Sequence, residues 1–166
     1  MKQTNPFAIT ISRQLGSGGS SIGQQLAKKM NIFFADREII SKAAEQLSVL
    51  ENDLESREEK LLSFWDSLFK VYTVAPDVYV TPHLTSPTDR ELYETQAEVI
   101  KHIVEEHSAI IIGRCGFHVL REYPNLISIF LHADMDFRNK RVQNMYHISK
   151  DLAQKMIDQS DNDTAN

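Results

Sequence analysis

A single cysteine, Cys115, stands in the 166 residues, so no disulfide can form within the chain and nothing in it requires an oxidising compartment. No apolar run approaches the ~20 residues of a membrane-spanning helix. The opening Met-Lys-Gln-Thr-Asn-Pro-Phe is not a basic-then-apolar export signal. Positive charge is in short supply: 18 lysines and arginines face 23 aspartates and glutamates, a net charge of −5. That balance argues against a sequence-independent nucleic-acid binder, which is usually basic. It leaves room for a local cationic pocket that takes a small anion. Metal-ligand spacing is also missing, since His102 and His107 fall five apart and so off one helix face. His132-Ala-Asp134-Met-Asp136 reads more simply as a strand end followed by a helix cap. The expectation is a soluble cytoplasmic protein with neither nucleic acid nor membrane as partner.

What is present is an ordinary globular composition, 42% apolar and 25% charged, in a length that suits one domain. Phe7–Ile11 reads as a strand, and Ile22, Leu26 and Met30 give helical spacing behind it. A second strand over Asn31–Ala35 ends at Asp36, and a helix carries Ile39, Ile40, Ala43, Ala44 and Leu47. Strand–helix–strand–helix predicts an α/β protein with a parallel sheet and right-handed crossovers. An acidic start and an apolar stripe over residues 50–72 predict one or two further helices. Pro76, Pro82 and Pro87 then impose an irregular loop, where Tyr79 and His83, with Tyr72 before them, are base-stacking candidates or plain core anchors. Residues 91–107 read as a helix, Ala109–Ile112 as a buried strand, Phe117–Arg121 as a short helix and Leu126–Leu131 as a fourth strand. A helix over Asp134–Met145 and another opened by Ser149 follow. The stretch after Asp158 is polar and acidic.

Between the first strand and its helix lies Arg13-Gln-Leu-Gly-Ser-Gly-Gly-Ser-Ser-Ile-Gly23. Glycines let a chain turn tightly and let N–H groups approach a ligand. A helix N-terminus adds unpaired donors and a positive dipole end. Together these make a phosphate cradle. A mononucleotide GxxxxGK[ST] pattern fails here, because Gln24-Gln25 follows Gly23. A dinucleotide GxGxxG pattern fits Gly16 and Gly18 but meets Ser21 at its third position, with Asp36 about where a ribose-binding acid belongs. A tight turn without a ligand is the third reading. Pattern alone does not choose between the two nucleotide classes.

The run Ile9-Thr-Ile-Ser-Arg-Gln-Leu-Gly-Ser-Gly-Gly resembles the opening of the cytidylate kinase-like family, relatives of the P-loop nucleoside-monophosphate kinases. Phe33–Ile40, Gln96–Ile103, Ile110–Cys115 and Asp136–Arg141 resemble later stretches of that family in the same order. The likeness runs over about residues 8–161 and is weakest over 50–90. It implies a three-layer P-loop domain, a helical insertion at about 50–90, a lid at about 134–162, ATP with magnesium, and phosphoryl transfer to a nucleoside monophosphate such as CMP. It further implies that Gly16, Ser17, Gly18, Gly19, Ser20 and Ser21 cradle the donor phosphates, with Ser20 or Ser21 on the metal. Asp36, Arg37 and Arg114 would face the acceptor. Arg138 and Arg141 match lid arginines, although as bare residues they are also spaced to pair with Asp134 and Asp136 on one helix.

The departures are as informative. Gly19 stands where the family's true cytidylate kinases carry the P-loop lysine, and Arg13 and Arg114 are the nearby cations that could compensate. Cys115 replaces an aspartate and reads as a small packed residue. Asp161–Asn166 stands where relatives have another lid arginine, and relatives continue into a fifth strand and a last helix. A fourth strand left as an open edge would pair with a second copy of the chain. A nucleotide-binding protein without kinase activity, kept for regulation or assembly, is the competing expectation.

Overall fold

The computed structural model describes residues 5–51, 57–74, 89–113 and 116–165. Four parallel strands form one sheet in the order β2-β3-β1-β4, with β1 at Ala8–Arg13, β2 at Phe33–Ala35, β3 at Ala109–Ile112 and β4 at Leu126–Leu131. The helices are α1 (Gly19–Met30), α2 (Arg37–Glu51), α3 (Arg57–Val74), α4 (Asp89–Glu106), α5 (Gly116–Val119), α6 (Met135–Tyr146) and α7 (Lys150–Ala165). The expected α/β architecture is therefore present, strand by strand. The second strand starts two residues late, because Asn31 takes a left-handed conformation (φ 54°) and caps α1 with its N–H on the carbonyls of Ala27 and Lys28. The base-stacking candidates Tyr79 and His83 lie outside the described residues, as do Arg114 and Cys115.

The sheet is sandwiched. Ile11, Ile112 and Phe34 share one face, where α1 packs so closely that a Cβ on Gly23 would lie 2.5 Å from Cδ1 of Ile112. On the other face α5 meets Thr10 and Ile111 through Gly116, and α3 meets Phe33 through Phe69, ring centroids 5.6 Å apart. Every residue of β3 is fully buried, as a central parallel strand covered on both faces must be. β4 is different. It is an edge, and its Ile127 and Phe130 are more than half exposed.

Outside the sheet, α2 packs against both α3 and α4. The α3–α4 seam is aromatic: Trp65 stacks on the His102 imidazole with centroids 3.8 Å apart, and Phe69 lies against His107 at 4.1 Å. Burial pushes the His102 pKa below the usual histidine value, opposed in part by Glu106 and Glu105. A histidine depressed in this way takes a proton more readily when unfolded. Its contribution is present above the unfolded value, about 6.5, and is lost as pH falls through and below it. Urea unfolding at pH 7.5 and 5.5 measures this. The wild type is expected to lose more stability on acidification than His102→Phe, which keeps the stack without the proton; equal losses would contradict the assignment.

Candidate functional site

Because all four strands are parallel, the loops that follow them open at one edge of the sheet: residues 14–18 after β1, Asp36 after β2, Gly113 after β3 and residues 132–134 after β4. This is the edge at which open α/β sheets bind ligands. The turn after β1 is built by its own backbone. Ser17 donates twice to the Gln14 carbonyl, through N–H at 3.1 Å and through Oγ at 2.8 Å. The hydroxyl of Ser17 is thus engaged within the turn rather than turned to a ligand. Gly16 and Gly18 hold φ of 84° and 88°, a region that L side chains rarely enter.

Gly18 is the N-cap of α1. It has no side chain to cap the helix, and the first turn carries no acidic residue. The N–H groups at the start of α1 therefore have no acceptor within the helix and stand at its positive dipole end. Ser20 is exposed there, and Ser21 Oγ accepts a bond from Gln25 Nε2 at 3.3 Å.

Each glycine of the turn has an arginine against it. A Cβ on Gly16 would lie 2.7 Å from the Arg138 carbonyl oxygen, and one on Gly18 3.4 Å from Cζ of Arg141. One on Gly19 would lie 2.6 Å from Cδ and 2.8 Å from Cβ of Arg13. The three arginines are in different states. Arg138 is 2% exposed and fully engaged: its Nε donates to the Leu15 carbonyl at 2.8 Å, and its two terminal nitrogens hold Asp161 at 2.8 and 2.7 Å. It is therefore not the free lid cation that the family likeness implies, nor does it pair with Asp134 or Asp136. Arg141 is the opposite case, with Nε buried and without a hydrogen-bond partner. Arg13 is half-buried at the mouth of the turn. Burial lowers its pKa from the ordinary arginine value, the Asp36 charge opposes that, and Arg37 adds to it.

Asp36 is committed in part to local structure. Its Oδ1 accepts from the N–H groups of Glu38 and Ile39, both at 3.0 Å, and so caps α2. Arg37 beside it is exposed. Arg114, expected on the acceptor side, lies outside the described residues. Two contributors have no signature in the sequence. Leu15 packs into the small α6–α7 core of Val142, Ala153 and Ile157, and Asp161 closes on Arg138 from 23 residues away. The turn and the helical hairpin are thus one mechanical unit. Among the described residues no group of three His, Cys, Asp or Glu could hold a metal unaided, and no helix is long and apolar enough to cross a membrane.

A parallel 2-3-1-4 sheet whose first strand runs through a glycine turn into a helix N-terminus is the P-loop type of α/β fold. The chain belongs to the cytidylate kinase-like family, whose profile matches residues 8–166. Among solved structures it is similar to an uncharacterized protein from Eubacterium ventriosum ATCC 27560 (23% identity, TM-score 0.63, 94% of this chain and 71% of that one). It is also similar to a shikimate kinase from Bacteroides thetaiotaomicron (14% identity, TM-score 0.52, 96% of this chain and 79% of that one). These two likenesses show the fold. No curated protein is matched.

The Arg138 latch has a direct test. Asp161→Asn keeps the side-chain shape but takes the charge from a guanidinium 3% exposed. Unfolding free energy is expected to fall by about 1–3 kcal/mol, less than for a fully buried pair because Asp161 is 32% exposed. Amide hydrogen exchange should quicken in α7 and stay slow in β1. Unchanged stability together with unchanged α7 exchange would contradict the latch.

Proposed function

We propose that this protein is a nucleoside-monophosphate kinase that uses ATP with magnesium and phosphorylates a CMP-like acceptor. The observation that carries the reading is the Nε of Arg141, a buried donor left without a partner directly over Gly18. An unsatisfied buried donor costs about 1–3 kcal/mol, and such groups in native proteins call for an acceptor. An anionic phosphate above the turn is an acceptor of the right kind. It would meet the uncapped N–H groups of α1 from one side and the Arg141 guanidinium from the other. Family membership supports the same class of ligand.

The donor set fits the groups that the family implies. Gly16 and Gly19 leave no room for a Cβ, and the positive φ of Gly18 keeps L side chains from that position, so backbone and arginine line this side of the turn. The hydroxyls of Ser20 and Ser21, in the first turn of α1, would hold magnesium. That ion neutralises charge on the phosphates when bound. Phosphoryl transfer otherwise depends on positioning and on fixed positive charge. Arg141 and the α1 N-terminus supply that charge at the donor, while Arg37 at the start of α2 serves the acceptor phosphate, the role that the family likeness also implies for Arg114. Asp36 positions that side by fixing the start of α2.

Titration calorimetry with ATP and with CMP, followed by a coupled assay of ADP release, tests the reading. Wild type is expected to bind ATP and to release ADP only when a monophosphate is added. Arg141→Met should weaken ATP binding about 10- to 100-fold, the loss of one charged hydrogen bond. Its melting temperature should stay level or rise, because the unsatisfied donor is gone. ATP binding without transfer would leave a nucleotide-binding protein in place of a kinase. Unchanged ATP affinity in Arg141→Met would remove the carrying observation.

A further inference from the structure

Gly19 poses a separate problem. Gly16, Gly18 and Gly113 have positive φ, but Gly19, the first residue of α1, does not. Its backbone would accept any L residue, and glycine within a helix costs up to ~1 kcal/mol relative to alanine. Conformation therefore does not explain it, and space does. The volume of a Gly19 side chain is filled by Arg13, whose Cδ, Cβ and Cγ lie 2.6, 2.8 and 3.2 Å from the Cβ position. The conflict involves the root of the arginine as well as its stem, so swinging the far end away does not relieve it. Beyond Gly19 the same side chain reaches the end of β3, where Nη1 lies 2.8 Å from the Cβ position of Gly113. The Arg13 side chain thus runs from β1 across the helix start and delivers its guanidinium between the ends of β1 and β3.

We propose that Arg13 and Gly19 are an exchanged pair: the cation for the donor phosphates comes from the end of β1, and Gly19 is glycine so that it can pass. This rests on the phosphate-donor reading of the turn and says where its missing lysine went. Two cations then flank the turn from different elements, Arg141 from α6 over Gly18 and Arg13 from β1 past Gly19. The Arg13 guanidinium is also the one that stands on the β2–β3 side, within the fields of Asp36 and Arg37. A forked guanidinium there can bond donor and acceptor phosphates together, which a single ammonium at residue 19 cannot do as well.

The test is a set of ATP–magnesium titrations on wild type, Arg13→Gly, Gly19→Ala and the double variant Arg13→Gly/Gly19→Lys, with melting curves to confirm folding. Arg13→Gly is expected to bind ATP about 10- to 100-fold more weakly. Gly19→Ala adds one methyl group and should weaken binding in the same direction by displacing Arg13. The double variant removes the three Arg13 atoms nearest the Gly19 Cβ position, puts a lysine at the helix start, and should recover most of the lost affinity. Arg13→Gly binding as wild type does, or a folded double variant no better than Arg13→Gly, would overturn the exchange. A wild type that binds no ATP overturns the nucleotide reading itself, and this proposal with it.

Discussion

The structure turns on side chains that are absent. Gly16, Gly18 and Gly19 leave one side of the turn bare, and three arginine residues occupy the space: the backbone of Arg138, the guanidinium of Arg141 and the stem of Arg13. A Cβ at Gly16 or Gly19 would collide with Arg138 or Arg13, and at Gly18 the positive φ excludes one. The requirement runs in both directions, since the arginines can approach the helix start only because the turn is stripped of side chains. The result is positive charge from three elements, β1, α1 and α6, brought to one edge of a parallel sheet in a protein whose net charge is −5. Net charge does not decide the field at the turn, which depends on the groups nearest it, Asp36 and Arg37 included.

The three arginines divide the work. Arg138 fixes geometry by tying the Leu15 carbonyl to Asp161, so that α7 is held to the turn through α6. Leu15 does the same through apolar contact with Val142, Ala153 and Ile157. Arg141 and Arg13 are left with burial that their surroundings do not fully compensate. Such groups lower the stability of the free protein, a cost that the proposed phosphate would relieve. Two arginines on one helix, three residues apart, are thus in opposite states. Arg138 points back to the body of the hairpin, and Arg141, one turn later, lies over the loop.

Most of the fold was legible in the sequence because its elements are strongly patterned. The all-apolar Ala109–Ile112, the stripe of α4 and the strand–turn–helix at the N-terminus each admit one reading. The apolar pattern makes β2 two residues longer than it is, because Asn31, polar but next to an aromatic run, is a helix cap and not a strand start. The stretch after Asp158 is polar and acidic, and the sequence does not mark where the last helix ends. In the structure α7 runs to Ala165, and Asp161 within it is the partner of a buried arginine. That pairing spans a helical hairpin and leaves no periodic trace. The cradle was legible through its glycines. Which arginine is engaged and which is open was not, because that depends on the crossing of α6 over the turn.

The central claim is that Arg13 and Arg141 serve a phosphate while Arg138 serves the fold. The most direct measurement follows the arginine Nε–H resonances by 1H–15N NMR while ATP and magnesium are added. The account predicts that the Arg13 and Arg141 signals move and sharpen with saturating ATP, while Arg138, already bonded to Leu15, stays in place. Movement of Arg138 with Arg13 and Arg141 unchanged would contradict it.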